Sequence, residues 1–141
     1  MPYMPDGMPL PVPTIDTKGF WDAAKRHELV IQRCLNCGTF RHTPIACCHV
    51  CQSFEYEWHR VSGKGIVYSY IICNHPVHPV LESRVPYNVV AVELPDAGNV
   101  RVSGNLLDCP EQEIYIGMPV EVTWEDIDDE VTLPQWKKAT P

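Results

Sequence analysis

Four of the seven cysteines fall into two pairs whose spacing carries chemical meaning. Cys34-Leu35-Asn36-Cys37-Gly38 opens the first pair, and Cys48-His49-Val50-Cys51 forms the second, with ten residues between Cys37 and Cys48. Two intervening residues let the backbone curl so that both thiolates reach one ion at about 2.3 Å, and two such turns facing each other complete a tetrahedron. This is the pattern of a zinc ribbon. Gly38 supplies the left-handed conformation that such a turn uses. Four protein ligands make the site closed and structural, with no position left for a reacting water. Spacing leaves other ligand sets open. Cys47 directly precedes Cys48 and offers Cys47-x-x-x-Cys51, and His42 and His49 offer ring nitrogens, but the two-residue spacing favours Cys48.

Disulfides are the competing use of such cysteines. The amino terminus, Met-Pro-Tyr-Met-Pro-Asp-Gly, lacks the apolar segment of a secretory signal, so the thiols fit a reducing compartment, the cytoplasm. There is no apolar run of about eighteen residues that would predict a membrane-spanning helix.

The rest of the chain offers few catalytic constellations. His75 and His78 lie three apart in the long connection Asn74 to Pro86, where two imidazoles have the spacing to hold a metal or move protons. Cys73 and Cys109 are the remaining thiols away from the pairs, and both lie in or beside apolar segments, where a buried inert thiol is the commoner outcome. Gly63-Lys64-Gly65 is too short for a phosphate loop, and no nucleophile turn or patterned carboxylate pair is present. No residue is therefore assigned a catalytic role.

Charge is unevenly distributed along the chain. The net charge is −7, composed of −2 over residues 1–17, +3 over 18–64 and −8 over 65–141. The basic middle section carries Lys18, Lys25, Arg26, Arg33, Arg41, Arg60 and Lys64 and is suited to an anionic ligand, with Arg33, Arg41, Arg60 and Lys64 as candidates to meet phosphates. The acidic remainder argues against a nucleic-acid partner, which requires a broad basic footprint.

The elements that position these groups read mainly as β. A helix of about ten residues is predicted from Thr17, with Asp16 or Thr17 as N-cap. Leu29 to Arg33 forms a strand into the first cysteine turn, and Phe40 to Thr43 returns from it. Period-two or apolar runs around Tyr56, at Ile66–Cys73, Tyr87–Leu94, Val100–Leu107, Val120–Trp124 and Val131–Trp136 predict five or six short strands and a small closed barrel. The Pro-rich stretch 1–13 cannot be helical and reads as an extended arm. Its apolar residues from Tyr3 to Val12, together with the tail around Leu133 and Trp136, are expected to anchor a partner.

In this order the residues resemble a known family. Phe20-Trp21-x-Ala23-Ala24, Leu29-Val30-x-Gln32-Arg33-Cys34-x-x-Cys37-Gly38, Cys48-x-x-Cys51, Ser62-Gly63-x-Gly65-x-Val67-Tyr68-Ser69-Tyr70, Pro86-Tyr87 and Ile116-Gly117-Met118-Pro119-Val120 are similar to the acyl-CoA-associated zinc-ribbon/OB-fold proteins, over residues from about 17 to 125. The resemblance implies an N-terminal helix, a rubredoxin-like ribbon and a C-terminal OB-fold barrel. It further implies a non-catalytic accessory subunit of a thiolase-like enzyme, carrying zinc and helping to shape a site for a CoA thioester in thiolytic or aldol chemistry. The expected division is an arm at 1–16, helix plus ribbon at 17–57, and barrel with an acidic end at 58–141. The chain departs from the family where Thr43-Pro44-Ile45 replaces the usual Pro-Pro-Arg, and where His49 and Gln52 replace Pro and Gly. Rival expectations are a stand-alone enzyme using His75, His78 or Cys73, and a single-stranded nucleic-acid adaptor.

Overall fold

The computed structural model describes residues 2–140. Helix α1, Lys18–Lys25, buries Phe20, Ala23 and Ala24, which recur at the three- and four-residue spacing of one helical face. Thr17 occupies the N-cap position, but its hydroxyl accepts from the Thr14 amide at 2.8 Å and none of the helix amides receives a side-chain cap. The expected cap by Asp16 or Thr17 is thus replaced by backbone bonds, Lys18 N–H to Thr14 C=O at 2.8 Å among them. The helix ends with amides 27 and 28 folding back onto the carbonyls of Ala24 and Ala23, while His27 takes φ 59°. This is a Schellman closure with histidine at the position usually held by glycine.

Two sheets follow. Strand β1, Val30–Cys34, lies between β2, Phe40–Arg41, and β3, Tyr56–Arg60, all antiparallel. The returning strand is shorter than the predicted Phe40 to Thr43 because the side chain of buried Gln32 accepts the Ile45 amide at 2.9 Å and draws the chain out of the ladder. Gly19 is placed where any Cβ would collide with the Trp58 indole, so the helix sits tight against β3.

The second sheet has the order β6-β5-β4-β7-β8, with β4 Lys64–Cys73, β5 Tyr87–Leu94, β6 Val100–Gly104, β7 Pro119–Asp126 and β8 Thr132–Lys138. Its interior is filled by Val67, Val90, Val92, Leu94, Val102, Val120 and Trp136, the alternate residues of each strand. The sheet curls until the chain after β6 meets β8, where Leu107 N–H donates to Trp136 C=O at 2.8 Å and Trp136 N–H to Asn105 C=O at 3.0 Å. Three residues, rather than a full strand, join the ring. Phe20, Ala23, Leu29, Val30 and Ile31 belong to the same buried cluster as the barrel interior, so helix, ribbon and barrel share one core.

One expectation about partner anchors is corrected. Trp136 is fully buried at the barrel seam and has no surface to offer. Of the arm, Tyr3 lies on the chain's own barrel, while Leu10 and Val12 stay exposed. Tyr3 N–H donates to Glu125 at 2.7 Å, its hydroxyl accepts from both Asn88 nitrogens at 3.0 and 2.8 Å, and Arg84 stacks over its ring at 3.9 Å.

Candidate functional site

The two cysteine turns are built alike. Gly38 N–H donates to Cys34 C=O and Gln52 N–H to Cys48 C=O, both at 2.9 Å. Cys34 N–H pairs with Thr39 C=O and Cys48 N–H with Ser53 C=O, again at 2.9 Å. Within each pair the first cysteine is buried and the second is more exposed. The four sulfurs lie within 4.8 Å of one another, with Cys34 to Cys51 at 3.5 Å and Cys37 to Cys48 at 3.6 Å. A tetrahedral zinc with bonds of about 2.3 Å places its sulfurs about 3.8 Å apart, so the donor set fits that ion.

Backbone dipoles favour the thiolate at the two buried cysteines. The amides of Cys51 and Val50 lower the Cys48 thiol to about 6, and the Cys37 amide foremost lowers that of Cys34. Cys47 turns away, its sulfur donating weakly to the Cys48 carbonyl at 3.6 Å, and His49 is exposed. His42 packs against Phe20, with ring centroids 5.4 Å apart, and burial pulls its pKa down to about 4. Among the described residues the cluster is therefore Cys34, Cys37, Cys48 and Cys51.

The four cations singled out for phosphate contact are not gathered at one point. Arg33 reaches Glu57 at 3.8 Å and the Gly38 carbonyl at 3.3 Å, and Arg60 reaches Glu28 at 3.6 Å. Lys64 is exposed at the start of β4. Arg41 is buried inside the ribbon, donating to Gln32 Oε1 at 2.7 Å and to the Ile45 carbonyl at 3.2 Å. The histidine pair of the long connection does not converge either. His78 Nδ1 accepts from the Val80 amide at 3.3 Å and caps the short turn Pro79–Leu81, while His75 is exposed. Burial pushes the Cys109 thiol up, and Cys73 hydrogen-bonds Tyr87, raising that phenol.

Sequence reading missed one feature. A cleft of about 430 Å³ opens between α1, the ribbon and the barrel, lined by Phe20, Trp21, His42, Val102, Leu133 and Pro134 among others. Arg101 sits at its edge with its guanidinium 3.6 Å from the centre of the Tyr68 ring. Its lining comes from four separate stretches, and no local pattern announces it.

Comparison with known proteins agrees with this arrangement. The profile of the ChsH2 rubredoxin-like zinc ribbon domain matches residues 21–57, and that of the ChsH2 C-terminal OB-fold domain matches residues 58–125. A DUF35 domain-containing scaffold protein of Methanocaldococcus jannaschii is 36% identical over 118 residues, covering 80% of this chain and 82% of its own length. The chain belongs to this DUF35 family of ChsH2-type zinc-ribbon/OB-fold proteins. A solved chain described as "Ltp2-ChsH2(DUF35) aldolase" superposes with a TM-score of 0.82 at 42% identity, over 92% of this chain and 99% of that one. Longer relatives also match. A probable enoyl-CoA hydratase alpha subunit of Thermomonospora curvata is 43% identical over 94% of this chain. The 3-oxo-4,17-pregnadiene-20-carboxyl-CoA hydratase alpha subunit of Mycobacterium tuberculosis is 36% identical over 89% of it. The chain spans about two fifths of the length of these two subunits, 40% and 39%. No helix among the described residues is long and apolar enough to cross a membrane.

Proposed function

We propose that this chain is a zinc-holding, non-catalytic subunit that docks on a thiolase-like enzyme acting on acyl-CoA, stabilising the partner and helping to shape its CoA site. The observation that carries the reading is the likeness to the DUF35 chain of the Ltp2-ChsH2 aldolase, which extends over nearly the whole of both chains. The thiolate centre supports it. With Cys34, Cys37, Cys48 and Cys51 as ligands, a bound zinc supplies folding free energy to the ribbon and has no open position for substrate. The solvent-facing Arg33, Arg60 and Lys64 are candidates for the rim of a CoA contact, whereas Arg41 acts from inside the ribbon.

A second reading concerns the partner's chemistry. The matches to two hydratase alpha subunits favour a CoA hydratase as the companion activity in place of carbon–carbon bond cleavage. One experiment addresses both. Affinity-tagged chain isolated from its native extract should carry about one zinc and retain a larger subunit in fixed stoichiometry. Assay of that complex for aldol or thiolytic cleavage and for enoyl-CoA hydration tells the two apart. Recovery of the chain alone, zinc-loaded and without a companion, contradicts the proposal.

A further inference from the structure

The barrel seam is closed at Asn105 to Leu107 and stays open toward the start of β6. Trp136 turns both its N–H and its C=O to the chain after β6, meeting Asn105 C=O and Leu107 N–H. Main-chain bonding directions alternate with period two along a strand, so Arg101 and Ser103 turn their N–H and C=O to the same side as Asn105, away from β5. Among the described residues, neither makes a backbone hydrogen bond outside the β5 ladder. On the facing strand the residue in step with Trp136 is Pro134, which has no N–H, so β8 cannot continue the ladder. This leaves β6 as an edge strand, with Arg101 and Ser103 exposed. Natural edges of this kind are shortened, charged or covered. Here Arg101 to Gly104, about 10 Å of strand, line the cleft of about 430 Å³.

We propose that the open edge of β6 receives an extended segment of the companion subunit as an added strand, docked between β6 and β8. The inference rests on the docking reading given under Proposed function and names how the companion is held. The main chain of the edge selects the occupant. N–H and C=O groups alternating along a strand are met in register by another extended main chain, whereas a helix has already used its own. The wall selects its side chains. Phe20, Trp21, Leu133 and Pro134 face an added strand with apolar surface, which suits an apolar residue at every second position. Arg101 is the one Lys or Arg in that lining and no Asp or Glu joins it among the described residues, so an acidic residue is expected at the Arg101 end. The chain's own arm is not the occupant. Tyr3 is tied to Glu125 and Asn88, and Pro2, Pro5, Pro9, Pro11 and Pro13 lack the N–H that an added strand must give.

Residue-resolved hydrogen exchange on the zinc-loaded chain, alone and in the complex isolated through its tag, tests the edge. The Arg101 and Ser103 amides should exchange at least about tenfold more slowly in the complex than in the free chain. Ser103→Pro removes an N–H that the β5 ladder does not use, and should weaken retention of the companion at least about tenfold. Its zinc content and the exchange of Val90 and Val92 report whether the fold is kept, and if it is not, the exchange measurement on the natural chain decides. Arg101→Glu should weaken retention as well, more at low than at high salt. A companion that is retained while both amides exchange as in the free chain, or that binds a folded Ser103→Pro chain as tightly as the natural one, overturns this inference and leaves the docking reading standing. Recovery of no companion overturns the docking reading and this inference with it. Protection that appears in the concentrated chain alone assigns the edge to a second copy and overturns the proposal.

Discussion

The ribbon, residues 30–60, and the barrel, residues 64–138, are held by different physics. In the ribbon the two-residue strand β2 and the five-residue strand β3 give little ladder, and the buried apolar side chains Val30 and Ile31 serve the core shared with the barrel. What fixes the distal half, where Cys34 and Cys48 are 1% exposed, is the convergence of four sulfurs. The barrel instead encloses seven interior side chains and closes its seam with buried amides. Asn88 accepts from the Leu106 amide at 2.6 Å and donates to the Leu106 carbonyl at 2.9 Å, and Gln135 accepts from the Asn105 amide at 2.6 Å. One region is built round a metal-binding cluster and the other round apolar packing and buried amide hydrogen bonds, with the Trp136 indole N–H left unpartnered at the seam. The two should therefore fail separately.

The largest expected effect is on the ribbon. Cys48→Ser, or strong chelation at neutral pH, removes binding free energy of about 10–16 kcal/mol for a structural zinc site and should unfold the distal ribbon. Hydrogen exchange should show protection lost over residues 34–55 and kept at Val90 and Val92. A Cys48→Ser chain with full zinc content would assign the fourth ligand to Cys47 or a histidine.

The reciprocal break is Asn88→Ala, which leaves the Leu106 N–H and C=O buried and unpaired at the seam. At about 1–3 kcal/mol per orphaned group, denaturant unfolding should show a loss of about 2–6 kcal/mol with zinc content unchanged.

His42 tests the surface where ribbon meets helix. Its folded pKa of about 4 lies below the ordinary 6.5, with burial as the cause, so the folded state excludes a proton that the unfolded chain accepts. The contribution is fully present above pH 6.5 and is lost as pH falls toward 4, to the extent of about 3 kcal/mol at most. Wild type should lose more stability than His42→Phe across that window in parallel denaturant titrations. Equal slopes would remove His42 from the account.

A smaller effect is expected from the arm. Tyr3→Phe deprives the Asn88 amide of its acceptor and should cost about 1–2 kcal/mol, with faster hydrogen exchange over residues 3–8.

How far these regions were legible in the sequence follows from the same contrast. The cysteine turns were readable because their chemistry is local, two residues of spacing and a glycine at Gly38. Alternation marked β3 and β7 for the same reason, and a nearly continuous apolar run marked β5. Trp136 was misread as an anchor because its burial depends on Asn105 to Leu107, thirty residues earlier, and the internal role of Tyr3 was not legible because its partner is Asn88, 85 residues away. Arg41 and Arg101 likewise meet in one cleft only through the fold.

The finest contrast lies between the two cysteine turns themselves. They share both backbone hydrogen bonds, yet the left-handed position after the second sulfur is Gly38 at φ 77° in one and Gln52 at φ 65° in the other. A side chain there crowds the carbonyl and costs about 1–2 kcal/mol, part of which is offset because glutamine restricts the unfolded chain more than glycine does. Gln52→Gly should thus stabilise the ribbon by about 0.5–1 kcal/mol, and Gly38→Gln should destabilise it by at least as much. The zinc stoichiometry should stay the same in both. Competition with a chromophoric chelator reads the difference directly, as slower zinc loss from Gln52→Gly and faster loss from Gly38→Gln. If both substitutions changed zinc loss in the same direction, the two turns would not be equivalent and the second would be set by something beyond its backbone conformation.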